Sequence, residues 1–160
     1  MPTYQPAEFK LVRIREASAT RDRHDTPEKL WEYIKDNIEP NLDQDREQFA
    51  VIFLSTRLHV TGHHIASVGT LDTLLVHPRD VFRAAIVANA ASVVVVHNHP
   101  SGDPTPSEAD IRVTRDLKRA GEVLKVQLLD HIVFGNYVRG INDDGRKRFV
   151  SLRENGYLAM

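Results

Sequence analysis

The chain has 160 residues, enough for one compact domain with a substantial core and too few for two ordinary ones. With 21 basic side chains against 22 acidic ones, net charge gives no reason to expect a polyanionic partner, and a 41% hydrophobic content is that of a globular domain. The absence of cysteine removes disulfides, thiolate metal ligands and cysteine nucleophiles together, so any metal must sit on nitrogen and oxygen.

The N-terminus, MPTYQPAEFK, lacks the apolar core of a signal peptide, and no apolar run approaches the roughly 18 residues that span a bilayer. The default expectation is a soluble cytoplasmic protein with no membrane association. Residues 1–25 mix prolines and charges without a sustained period, and Arg21 to Asp25 reads as solvated, which predicts an N-terminal arm ahead of a domain over residues 26–160. Thr26 caps a predicted helix whose first position is Pro27, with Leu30, Trp31, Ile34 and Ile38 on one stripe and Pro40 closing the segment. From Gln48 the run FAVIFL suits a strand covered on both faces, and Leu58 to Ser67 reads as a second strand in which Gly62 marks a bulge or a turn. Pro78 opens a helix through Phe82, Ala85, Ile86 and Ala90, and the consecutive valines Val93 to Val96 argue for a central strand. Ser107 to Ala120 reads as a helix with Gly121 past its end, followed by the strand-like segments VLKVQLL and HIVFG. Strands and helices alternate, so a layered α/β domain is expected. In such sheets ligand sites gather beyond the carboxyl ends of central strands, where His97 to Gly102 falls.

His97 and His99 are two apart, so on an extended backbone leaving the valine strand both imidazoles project from one face and can share an ion. Pro100, Gly102, Pro104 and Pro106 turn the chain before Ser107, which caps the next helix with Asp110 one turn inside it. Two imidazoles and a carboxylate make three protein ligands of the kind found in hydrolytic zinc sites, with a fourth position left for water. His-x-His alone, or a Ser-x-x-Asp capping box alone, is an ordinary structural feature; together at this spacing they point to His97, His99 and Asp110 as metal ligands. Such a site needs a carboxylate beside the metal to accept a proton, and Glu47, at the entrance of the FAVIFL strand, is the candidate, although a solvated strand-end carboxylate would read the same. Ser107 has two readings, as a helix cap or as a donor to a developing oxyanion. His131 reads either as a neighbour that hydrogen-bonds a ligand or as a satisfied core histidine, while His59, His63, His64 and His77 receive no role.

His97, His99, Ser107 and Asp110 together resemble the JAMM motif of JAB/MPN metalloproteases, matching it at every motif position. More closely, REQFAVIFL, the GTL at Gly69 to Leu71, VHPRDVF, NAAS, HNHPSGDPTPSEADI and LLDHIVFG are similar to the bacterial RadC family, over roughly Thr26 to Leu158. The resemblance is to a short form, since nothing here is similar to the helix-hairpin-helix DNA-binding region of longer members. It implies a three-layer α-β-α fold like that of cytidine deaminases, with a central mixed sheet. It also implies zinc on His97, His99 and Asp110, Glu47 as acid/base, Ser107 as oxyanion donor, and hydrolysis of a peptide or isopeptide bond in a peptide or protein substrate. The deaminase zinc signature cannot be written without cysteine, which disfavours deamination. The alternatives are a DNA-repair or nucleic-acid-associated protein with a structural metal, or a metal-free member of the superfamily. The chain departs from the family pattern at Ser55, often Asp, and in a longer segment from Gly135 to Arg148, whose Arg146, Lys147 and Arg148 read as a solvated hairpin tip.

Overall fold

The computed structural model describes residues 22–69 and 76–159. Residues 1–21, most of the expected N-terminal arm, lie outside the described residues. At the end of that expected arm His24 is buried, its N–H donating to the Leu58 carbonyl at 2.8 Å and its ring edge-on to Tyr33.

Helix α1 covers Pro27–Asn37, and the Thr26 hydroxyl accepts from the Lys29 N–H at 3.4 Å as its N-cap. After a short 3-10 turn, strand β1 (Gln48–Leu54) is buried along its whole length, as its unbroken apolar run requires. Strand β2 (Val60–Val68) pairs antiparallel with β1 and starts two residues later than expected, because Leu58 sits in the turn at φ 62°. The register slips where Leu54 pairs with Val60 and Phe53 with Gly62, the bulge signalled by Gly62. Helix α2 covers Pro78–Val87, shorter than expected because Asn89 takes a left-handed turn at φ 51°; Phe82 and Ala85 are buried and Ile86 is exposed.

Strand β3 (Ser92–His99) is followed by helix α3 (Glu108–Leu124) and strand β4 (Gln127–Gly135), and β3 and β4 run parallel. Two expectations fail here. Gly121 lies inside α3, not past its end; a Cβ there would meet the Val126 carbonyl at 2.5 Å and the Phe82 ring at 3.1 Å, so the glycine serves close packing, and the left-handed Lys125 ends the helix. Of the two strand segments expected after it, Val123 and Leu124 belong to α3, and the rest joins in the single strand β4, kinked by a register shift opposite Val93 and Val94. A short strand β5 (Phe149–Ser151) completes a mixed sheet in the order β2-β1-β3-β4-β5.

The sheet divides two cores. On one face α1 brings Leu30, Tyr33 and Ile34, and its C-cap Ile38, against Ala50, Ile52, Val94, Val96 and Ile132. On the other, α2 and α3 bring Phe82, Ala85 and Leu117 against Phe49, Val51, Val93, Val95 and Leu128. This is the expected three-layer α/β arrangement with a central mixed sheet. The basic cluster is only partly solvated: Arg148 lies 5.3 Å over the Trp31 ring and hydrogen-bonds the Gly135 carbonyl and Glu39, and Lys147 pairs with Glu28 at 2.8 Å. The 136–148 segment is thereby pinned across α1. Among the described residues no helix is long and apolar enough to cross a membrane.

Candidate metal centre

Central strand β3 carries His97 and His99 at its carboxyl end. Strand alternation places both on the α3 side, beneath which Phe49 stacks on the His97 ring at a centroid distance of 5.9 Å. Their Nε2 atoms stand 3.0 Å apart. Helix α3 begins beside them, and Asp110 reaches both imidazoles: Oδ1 is 3.2 Å from His97 Nε2 and Oδ2 is 3.4 Å from His99 Nε2. Ser107 and Asp110 form a capping box, the Ser107 oxygen accepting from the Asp110 N–H at 3.2 Å and Asp110 Oδ2 from the Ser107 N–H at 2.7 Å. The cap therefore aims the carboxylate and consumes only a lone pair of the Ser107 hydroxyl, whose hydrogen it leaves available to a ligand.

Glu47 precedes β1 and lies two residues from Phe49, on the same face, with Oε1 3.7 Å from His99 Nε2. Glu47, His97 and His99 present ligand-type atoms within 4.8 Å of one another, a set that can hold a metal ion. Glu47 thus stands at ligand distance too, but it approaches one imidazole where Asp110 approaches both, and it is the more exposed carboxylate, 25% against 16%. The five sequence-selected residues, Glu47, His97, His99, Ser107 and Asp110, gather at one end of the sheet.

The hydrogen bonds behind the imidazoles fix which nitrogen carries a proton. His99 Nδ1 faces the Asp103 carbonyl at 2.8 Å, an atom that only accepts, so Nδ1 is the protonated nitrogen and a neutral ring turns a lone pair at Nε2 toward the site. His97 Nδ1 is 2.8 Å from His131 Nε2, and His131 Nδ1 is 2.6 Å from the Thr114 hydroxyl. Asp130 holds the His131 backbone in place, its carboxylate accepting from the His131 and Arg153 N–H groups and from the Ser151 hydroxyl. Burial opposes a charge on His99, but Asp110 and the Asp103 carbonyl outweigh it and its pKa is raised. Burial likewise opposes the Asp110 charge, and the two imidazoles outweigh it, holding that carboxyl well below the usual range. Two imidazole nitrogens and a carboxylate converge on one point, and with the rings neutral they are a set of nitrogen and oxygen electron-pair donors. It fits a cation.

Sequence reasoning missed Asn98, between the two histidines. Its side chain turns to the opposite face, where Oδ1 accepts from the Gln48 N–H at 2.8 Å while Nδ2 donates to the Arg46 carbonyl at 2.9 Å and to Asn136 Oδ1 at 3.1 Å. Asn98 thus grips the backbone on both sides of Glu47. The alternation of a strand was the available signal, since a polar residue between two candidate ligands must face elsewhere. Thr114 was missed as well, although it lies one helical turn beyond Asp110.

The sequence model described as a RadC-like JAB domain matches residues 24–157. Among curated relatives, a UPF0758 protein of Thermotoga maritima is 44% identical over 144 residues, covering 90% of this chain and 59% of that protein. A UPF0758 protein of Desulfitobacterium hafniense is 46% identical over 114 residues, covering 71% of this chain and 46% of that protein. One of Methanosarcina mazei is 41% identical over 116 residues, covering 72% and 46%. The chain spans about half the length of the curated relatives it matches.

Proposed function

The chain belongs to the RadC-like JAB domain family, and from that premise we propose that it is a zinc-dependent hydrolase that cleaves a peptide or isopeptide bond. The observation that carries the reading is the convergence of His97 Nε2, His99 Nε2 and both Asp110 oxygens within 3.4 Å, with Glu47 beside them. Two nitrogens and a carboxylate suit zinc in a hydrolytic site.

His97, His99 and Asp110 would hold the ion, with the Ser107 cap and the Asp103 carbonyl fixing Asp110 and His99 in place. A divalent cation bound there supplies Lewis acidity to a carbonyl oxygen and to water. Glu47, held by its clamped backbone, accepts the proton of the attacking water and returns it to the departing nitrogen. Ser107 keeps its oxygen in the helix cap and donates its hydroxyl hydrogen to the oxyanion formed from the attacked carbonyl.

Purified protein is expected to hold about one zinc per chain. His97→Ala and Asp110→Ala each lose it, whereas Glu47→Gln keeps it and fails to cleave a diverse peptide library that the wild type cleaves. Full metal occupancy in both ligand variants would refute the ligand assignment, and cleavage by Glu47→Gln would refute the role of the glutamate.

A further inference from the structure

We propose that Thr114 and His131 form a tautomer lock that keeps the proton of His97 on Nδ1 and its lone pair on Nε2, so that both are positioning residues for metal binding. The inference rests on the metal reading above, and it concerns residues outside the motif.

The lock follows from one hydroxyl hydrogen. Thr114 Oγ1 lies 2.6 Å from the Asp110 backbone carbonyl, one turn back in α3, and the same oxygen lies 2.6 Å from His131 Nδ1. A carbonyl oxygen only accepts, and two oxygens approach that closely only with a hydrogen between them, so the hydroxyl donates to the carbonyl. Toward His131 the oxygen can then only accept, and Nδ1 of that ring carries the hydrogen. His131 has no exposed surface and its two ring nitrogens face neutral groups, which leaves one hydrogen on the ring and a lone pair on Nε2. At 2.8 Å from that lone pair, His97 Nδ1 must donate, and Nε2 of His97 turns a lone pair toward His99 and Asp110. The reverse tautomer would put a hydrogen on His97 Nε2, in the place where the metal binds.

The same helix therefore contributes twice. Asp110 touches the imidazoles directly, and Thr114, four residues on, acts on His97 through His131. The lock couples seating of α3 to the electronic state of a strand residue.

The experiment compares zinc affinity in wild type, Thr114→Val and Thr114→Ser by titration against a competing chelator. Loss of a partner behind a histidine ligand weakens metal affinity about 10- to 100-fold. Thr114→Val is expected in that range and Thr114→Ser, which keeps the hydroxyl, close to wild type. A zinc-binding wild type matched by Thr114→Val overturns the lock, whereas a wild type that binds no zinc overturns the metal reading instead. Ring nitrogen NMR of the metal-free wild type is the second measurement and needs no variant to fold. Nδ1 protonation of both His131 and His97 supports the lock, and Nε2 protonation of either ring overturns it.

Discussion

Gly135 offers the most sharply defined perturbation of the site. It closes β4 in register with His99, and a Cβ added there would lie 1.9 Å from the Gly102 carbonyl oxygen and 2.4 Å from its carbon. Both are backbone atoms, so no side chain can swing away. Taking the oxygen from 1.9 Å to the 3.4 Å of ordinary contact moves the Gly102 backbone by about 1.5 Å. That loop is tied to the proposed ligand His99: the Gly102 N–H donates to the His99 carbonyl at 3.1 Å, and the Asp103 carbonyl accepts from the His99 ring at 2.8 Å. Metal sites tolerate ligand displacements of only about 0.2 Å, so even a fraction of the shift misplaces His99. Gly135→Ala is therefore expected to cost about 3 kcal/mol of stability, the upper part of the overpacking range. In a domain of this size that lowers the melting temperature by roughly 6–12 °C. Zinc affinity falls by about tenfold or more. The control is Gly140→Ala, at φ 87° with nothing within 4 Å of its Cβ. It carries only the left-handed penalty of about 1–2 kcal/mol and leaves zinc affinity as in wild type. Chelator-competition titration and thermal melts of the two variants provide the assay. Wild-type zinc affinity in Gly135→Ala, with a melting temperature within about 2 °C, would refute the reasoning.

Asn98→Ala strips the Gln48 N–H and the Arg46 carbonyl of their partners, and the buried N–H alone costs about 1–3 kcal/mol. Because that side chain points away from the imidazoles, zinc stoichiometry is expected to hold while peptide cleavage drops; undiminished cleavage would sink the clamp. The raised pKa of His99 sets a pH dependence, since below that pKa the ion must displace a proton from Nε2. Zinc affinity is expected to fall by about tenfold per pH unit as pH drops below the raised value and to level off above it. A flat affinity between about pH 5.5 and 8 would show that no histidine proton competes with the metal.

Local signals were legible and cross-element ones were not. Thr26 and Pro27 mark the start of α1, and the runs FAVIFL and Val93 to Val96 announce strands buried on both faces, because each depends on residues adjacent in the chain. Gly121 reads as a helix end by the ordinary rule, yet its purpose is the approach of Val126 and Phe82, which only the tertiary packing creates. Arg148 reads as solvated because the sequence does not reveal that Trp31, far back in the chain, lies beneath it. The same limit governs the site. His97, His99, Ser107 and Asp110 stand close together in sequence and form a pattern, whereas His131 acquires meaning only when β4 is set parallel to β3 in register. Glu47 lies between these cases: its proximity to His99 depends on the pairing of Phe49 with His97.

The two periods of secondary structure divide the work of the site. A strand turns alternate residues to opposite faces, so β3 gives His97 and His99 to the α3 side and Asn98 to the α1 side. A helix repeats every three to four residues, so α3 gives Asp110 and Thr114 to one stripe against the sheet. One face therefore carries the proposed ion site, with His97, His99, Asp110, Thr114 and His131. The other holds the backbone around Glu47, the proposed proton acceptor, through Asn98 and Asn136, the latter reaching back to the Gln44 carbonyl at 2.7 Å. These two sets share no side-chain hydrogen bond among the described residues; what joins them is the β3 backbone. Perturbations of the Asn98 set should for that reason lower cleavage and leave metal affinity nearly unchanged, whereas loss of the metal on the other face removes cleavage with it. Substitutions at Gly135 and Gly102 escape that separation, because they displace the backbone both sets depend on.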